Sequence, residues 1–260
     1  MAQSLSLSSK GLKGQVVLVL GGAGQVGSAV ALDLLRKDAV VAVPSRSRKS
    51  LDQLGNYLRD HGADVTNLVM FQDDVGTKEG ALRVLEALQA HEATGGRLDH
   101  VVASLGSWSQ AGPLLERSLS EFNEQLHNSA GIHFVALSVF LPRIADQEGS
   151  SYTILTGDSG DRLVAPGAGL VSVGDAALWG VSAVVRAEFH ERQARVNELR
   201  IGAMIRSKVT EPAEVLDKDV ATVITGIMAG HNAVKGQVIR LTADNVREQL
   251  ETHAMQRFSL

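Results

Sequence analysis

The sequence has no cysteine, only two tyrosines and only five prolines in 260 residues. The missing thiols exclude disulfides, thiolate metal sites and cysteine nucleophiles together. The scarcity of tyrosine leaves Tyr57 and Tyr152 as the only phenols available for proton transfer. Positive charge is not in excess. The formal net charge of −4 gives no electrostatic basis for binding nucleic acid or an anionic membrane surface. No apolar run approaches the ~20 residues that span a bilayer, and the longest candidate, Phe134 to Leu141, ends at Pro142. The opening MAQSLSLSSKGLKG lacks the apolar core of a secretory signal and reads as a Ser-rich tail over residues 1–13. These absences predict a cytoplasmic protein without membrane or nucleic-acid partners, folded as one domain over 14–260.

What is present is an ordinary globular balance, 44% apolar and 21% charged. Short continuous apolar runs at Gln15–Leu20, Ala39–Val43, Asn67–Phe71 and His100–Ser104 read as strands covered on both faces. Tyr152–Thr156, Val196–Ala203 and Val238–Leu241 add three more. Between them, helical spacing predicts helices at Val26–Arg36, Gly80–His91, Ser120–Ala145, Asp175–Gln193 and near Val220–Met228. Strands alternating with helices predict an α/β fold, a doubly wound parallel sheet of about seven strands with helices on both faces. Binding chemistry in such a sheet belongs just past the carboxyl ends of the strands, where the strand order reverses.

The first of those ends reads Gly21-Gly22-Ala23-Gly24-Gln25-Val26-Gly27. A turn without β-carbons lets backbone approach a pyrophosphate, and a helix starting near Val26 aims its free N–H groups at that charge. The alternative is a glycine turn with no ligand. The second strand is followed by Pro44-Ser45-Arg46-Ser47-Arg48-Lys49, with no carboxylate before Asp52. An arginine there suits a ribose 2′-phosphate, which favours NADP(H) over NAD(H), unless the turn is simply a solvated basic surface.

On these motifs, and over nearly its whole length, the chain resembles the short-chain dehydrogenase/reductase (SDR) family, with its Rossmann-type fold. Asp74-Val75 is similar to the family's pair beside the adenine. Ala103-Ser104-Leu105-Gly106 stands where the family has Asn-Asn-Ala-Gly and keeps only the glycine. Asn128 is the counterpart of the catalytic asparagine, and Lys235–Ile239 resembles the approach to the closing strand. The resemblance implies cofactor contacts from Gly21, Ala23, Gly24, Gln25, Val26, Gly27, Ser45, Arg46, Arg48, Asp74, Val75, Ser104, Gly106 and the residue at 175. It also implies a homodimer or homotetramer formed through the two long helices.

The active-site motif departs from the family. Val171 occupies the tyrosine position of Tyr-x-x-x-Lys, Asp175 the lysine position and Asp158 the serine position. Tyr152 starts its strand and lies more than ~10 Å from the strand's carboxyl end, so it does not substitute. Lysine normally holds the ribose and lowers the tyrosine's pKa, and an aspartate reverses that charge. Asp158 and Asp175, with Asn128, are the catalytic candidates: two facing carboxylates would push their pKa values apart and leave one as an acid. Alternatively, Asp158 caps the turn Gly157–Asp161 and Asp175 caps the helix it opens. His127 and His133 have no metal-ligand spacing, and no metal is expected. Trp108 and Trp179 are candidate cavity walls, and Lys208 a candidate cation. The short segment Ile205–Leu216 suggests an open or reduced pocket. Three functions fit: an oxidoreductase with a changed proton donor, Asp158 or a histidine; a cofactor-binding sensor or inactive subunit; or a non-redox lyase, cyclase or isomerase working on a small molecule.

Overall fold

Val16–Leu20 (β1) is apolar at every position, and all five side chains are fully buried. Each buried leucine of such a strand contributes about 1.5–3 kcal/mol by leaving water, which places β1 at the centre of the molecule. The structure, a computed structural model, describes residues 11–230 and 234–253. After β1 come Gln25–Arg36 (α1), Val40–Ser45 (β2), Arg48–Asp60 (α2), Leu68–Gln72 (β3), Lys78–Ala90 (α3) and His100–Ala103 (β4). Leu119–Leu126 (α4), Ile132–Ile144 (α5), Ser151–Gly157 (β5), Gly169–Glu188 (α6) and Arg195–Ile201 (β6) follow. Met204–Arg206 (β7), Glu214–Leu216 (β8), Asp217–Ala229 (α7), Val238–Leu241 (β9) and Val246–His253 (α8) complete the order.

Seven strands form one parallel sheet in the order β3-β2-β1-β4-β5-β6-β9. This is the expected Rossmann-type architecture. The chain runs outward from β1 to β3, then returns to lay β4 on the other side of β1, pairing Val17 with His100. The crevice of the sheet therefore opens beyond the ends of β1 and β4. On one face, residues of α1, α2 and α7 form a core with Val17, Val19, Val41 and Leu199. On the other, α3, α5 and α6 pack over Leu18, Leu20, Tyr152 and Ile154. Local signals agree with the ends of the helices. Ser47 and Thr77 cap α2 and α3 through the backbone N–H groups of Ser50 and Gly80. Ser118 and Glu121 form a reciprocal capping box on α4.

The sequence expectations need correction in several places. Leu12 is buried in the core, so the ordered domain reaches into the tail expected at 1–13; residues 1–10 lie outside the described residues, as do 231–233 and 254–260. The helix expected to open at Asp175 opens at Gly169, with Ala168 at its N-cap, so Asp175 sits inside it and caps nothing. Gly169 and Gly174, inside this helix, serve packing. A β-carbon at 174 would stand 2.6 Å from Ser129 Oγ, so glycine lets α6 close on the preceding helix. By length and composition this 20-residue helix is also apolar enough to cross a membrane, contrary to the expectation that no such stretch exists. In the fold, Leu170, Val171, Gly174, Leu178 and Ser182 are buried, while 28% of its most apolar window is covered. The segment after β6 forms a small parallel ribbon, β7 with β8.

Candidate active site

Three glycines of the turn after β1 stand where no side chain fits. A β-carbon on Gly27 would lie 2.2 Å from the carbonyl oxygen of Gly21, and one on Gly22 would lie 2.7 Å from Val43 Cγ1. Gly21 has φ +75°, and a β-carbon there would fall 2.0 Å from the carbonyl oxygen of Ser104 at the end of β4. Backbone thus meets backbone at the switch point. Gly24 is the N-cap of α1, no side chain caps that helix, and its first turn carries no acidic residue. An exposed, uncapped N-terminus behind a bare glycine turn presents N–H donors to an anion, so these residues fit a dinucleotide pyrophosphate. Ala23, Gln25 and Val26 complete the turn, and Gln25 Nε2 donates to the carbonyl of Ile205, tying it to β7 at 3.1 Å.

At the end of β2, Ser45 Oγ accepts from the N–H of Ser47 at 3.3 Å. Arg48 is engaged by Asp52 at 3.0 Å, whereas Arg46 is exposed and, among the described residues, has no ion pair. Beyond β3, Asp74 Oδ1 accepts the N–H of Gly76 at 2.9 Å, and Val75 is buried beneath it. These positions flank the crevice on the β2–β3 side.

On the other side, a cavity of about 500 Å³ opens beyond β4, β5 and β6. Val26, Ser104, Gly106, Asp158 and Asp175 line it, so five of the expected site residues meet in one place. Asn128 is not among the lining residues. Its backbone carbonyl faces Gly106, 3.7 Å from where a β-carbon would stand. The reason is a π-helical turn, His127–Gly131, joining α4 to α5. Ser129 Oγ takes the carbonyl of Gln125 at 2.7 Å, and the extra residue in the turn re-aims the helix face. Gln125 and Ser129 reach the cavity in place of Asn128. Nothing in the composition of His127–Gly131 announces a π turn, which is why sequence reasoning passed over both residues.

The two aspartates are placed differently from expectation. Asp158 is buried at 6% exposure and is held by two arginines. Arg162 contacts it at 2.9 Å and Arg240 at 2.7 Å, from the loop and from β9. Burial pushes its carboxyl up, but the hydrogen bonds and charges of Arg162 and Arg240 outweigh that and hold it below the usual range. It is a fixed anion, neither the shared-proton partner of Asp175 nor a cap, and not suited to donate a proton. Asp175 lies against the end of β5. Ser159 Oγ donates to its Oδ2 at 2.5 Å, and the backbone amides of Gly157 and Ser159 also face it. Burial dominates and raises its carboxyl above the usual value, despite these donors and the distant charge of Arg200. It is the group in the cavity best disposed to hold a proton.

Behind this pair, Trp179 Nε1 donates to the carbonyl of Gly157 at 2.9 Å, and Arg200 stacks on the same indole at 3.8 Å. Glu198, fully buried, accepts from Thr156 Oγ1 at 2.9 Å and Ser182 Oγ at 2.7 Å and pairs with Arg200. Trp179 is thus a support, while Trp108 stands 52% exposed at the mouth of the cavity. Val171 lines the cavity where a tyrosine was sought. Tyr152 is fully buried in the core, its hydroxyl without a partner among the described residues, and burial raises its pKa. The histidine alternative fails on geometry. His127 is exposed, and His133 is fully buried with Nε2 on the carbonyl of Leu105 at 3.2 Å, burial lowering its pKa to about 4. Lys208 is exposed and does not line the cavity.

Comparison with known proteins agrees with this layout. Residues 21–247 match the family described as enoyl-(acyl carrier protein) reductase. A short-chain dehydrogenase/reductase of Stachybotrys chlorohalonatus is 26% identical over 216 residues, 81% of either chain. A hydroxynaphthalene reductase of Aspergillus fumigatus is 28% identical over 72% of this chain and 66% of its own. Among solved structures, a short-chain oxidoreductase of Pseudomonas aeruginosa, described as containing an atypical catalytic center, superposes with a TM-score of 0.77. It is 18% identical and covers 90% of this chain and 97% of its own. The family match spans the glycine turn, every strand of the sheet except β1 and the cavity at their carboxyl ends, and it places this chain in the short-chain dehydrogenase/reductase superfamily.

Proposed function

We propose that this protein is an NADP(H)-dependent oxidoreductase of carbonyl or hydroxyl compounds, in which Asp175 takes over proton transfer from the missing tyrosine. The observation that carries the reading is the glycine turn, where three positions at the switch point exclude any β-carbon and leave the start of α1 uncapped. Arg46, which has no ion pair among the described residues and stands where an adenosine ribose would end, supports the 2′-phosphate form of the cofactor. The names of the relatives, reductases and dehydrogenases, support the reaction class.

The nicotinamide, when bound, supplies or accepts the hydride. The chain's own residues do the rest. The apolar walls, Val171, Leu178, Leu155 and Ile201, exclude water. The carboxyl of Asp175 gives its proton to the oxygen of the carbonyl as that carbon is reduced, and Ser159 Oγ and the amides of Gly157 and Ser159 hold the carboxylate that remains. Self-association through α5 and α6 belongs to the same proposal. Phe134 and Val184, at 62% and 57% exposure, put apolar surface on the outward sides of these helices.

Fluorescence titration with NADPH and NADH tests the cofactor half, and absence of binding removes the proposal. Asp175→Asn then tests the acid: turnover over a panel of aldehydes and ketones falls by about 100-fold or more while NADPH affinity stays within a few fold. Tight NADPH binding with no hydride transfer to any member of the panel identifies a cofactor-binding protein instead. A second reading, non-redox chemistry with Asp175 alone as acid and base, is favoured by its raised carboxyl and by its place on one cavity with the fixed anion of Asp158. Under that reading, bound NADPH is not consumed by any substrate turned over.

A further inference from the structure

Gln125 is the single carboxamide among the residues lining the cavity, and its side-chain amide makes no hydrogen bond within the described residues. Every other polar side chain that faces it from α6 and the β5 loop is committed. Asp158 is held by two arginines and Asp175 by Ser159, while Ser129 Oγ donates to the backbone carbonyl of Gln125. The amide packs against α6. Its Nε2 stands 3.1 Å from where a β-carbon of Gly174 would be, so it lies against the backbone of α6 at that glycine. Residues 171, 174, 175 and 178 share one face of that helix by spacing, and Val171, Asp175 and Leu178 all line the cavity. The free amide therefore stands over the stretch that carries the empty tyrosine position and the proton-holding aspartate.

We infer that Gln125 is the substrate-orienting group of this cavity, and that it binds the oxygen of an otherwise apolar ketone or secondary alcohol. The inference deepens the oxidoreductase reading and rests on it for the name of the reaction. A primary amide carries both N–H donors and a carbonyl acceptor. It donates to a ketone oxygen and accepts from the corresponding hydroxyl, so one residue serves both members of a redox pair without changing protonation state. A tyrosine combines orientation with proton donation, whereas here the two duties fall on separate residues, Gln125 and Asp175. The walls toward Trp108, Val164 and Met204 are mainly apolar, apart from the hydroxyls of Ser104 and Ser107, which suits a ligand with one polar oxygen near Gln125 and an apolar body directed toward them.

The probes are 1-indanone, 1-indanol and indane, three bodies of one shape with a carbonyl, a hydroxyl and no oxygen. They are titrated into the full chain, with and without saturating NADPH, while the side-chain amide signals and the Trp108 indole signal are followed by NMR. The expected result is a shift of the Gln125 amide with indanone and indanol but not with indane. Both oxygenated probes bind ~3- to 10-fold more tightly than indane, as expected for one hydrogen bond. Gln125→Leu abolishes that preference while indane affinity stays the same. Gln125→Glu, acceptor-only when ionised, keeps the preference for indanol and loses it for indanone. An unmoved Gln125 amide while Trp108 shifts, or a preference that survives Gln125→Leu, overturns the inference, as does absence of binding by all three probes. If NADPH fails to bind but the probes behave as described, the cofactor reading falls and the assignment of Gln125 stands.

Discussion

The carboxylate of Asp175 occupies the space that a side chain at residue 157 would need: a β-carbon on Gly157 would stand 2.3 Å from Asp175 Oδ2. The aspartate in the lysine position and the glycine ending β5 are a matched pair. Gly157→Ala therefore costs about 1–3 kcal/mol through overpacking. Paired with Asp175→Ala it costs much less, because the clashing group is gone. Chemical denaturation of the two single variants and the double variant measures this, and strictly additive losses refute the pairing.

The pH dependence of stability separates the two aspartates. Asp175 has a raised pKa, from an ordinary 3.8, so its stabilising contribution is present below that value and is lost as pH rises through its higher native value. Asp158 has a lowered pKa, so its contribution is present above 3.8 and is lost as pH falls through its lower native value. Urea unfolding of wild type, Asp175→Asn and Asp158→Asn across about pH 3 to 7 should show these opposite slopes. Relative to wild type, Asp175→Asn gains as pH rises through the upper window, and Asp158→Asn gains as pH falls through the lower one. Parallel curves for all three proteins would contradict both assignments.

Cofactor choice rests on the end of β2. Arg46→Ala is expected to weaken NADPH binding ~10- to 100-fold, the range of a charge-assisted hydrogen bond, and to leave NADH nearly unchanged. Arg48→Ala has a smaller effect, because Asp52 already holds that guanidinium at 3.0 Å. Equal losses for the two nucleotides in Arg46→Ala count against the 2′-phosphate.

The support behind the site is ionic and buried. Removing Glu198, which is fully buried, strands Arg200 at 18% and Arg186 at 15% side-chain exposure. Glu198→Ala is expected to lower stability by about 3–5 kcal/mol, the cost of leaving buried charge unpaired. A loss below about 1 kcal/mol, within the range of a surface pair, would mean that the network is not cooperative.

The apolar strand runs, the glycine turn and the basic end of β2 were legible in the sequence, because each is a local pattern whose physical demand is met within a few residues. Fold class, strand number and the cofactor side of the crevice follow from them. What only the tertiary structure decided is where polar groups end up once helices close on one another. Gly174 lets α6 settle on Ser129, and Gly157, which reads as part of a turn, makes room for Asp175. A π turn hides Asn128 and presents Gln125, and Arg240, 82 residues along the chain, joins the neighbouring Arg162 in taking Asp158 out of acid–base use. Burial, close approach and the partner of a charge are set by residues far along the chain, so no local pattern encodes them.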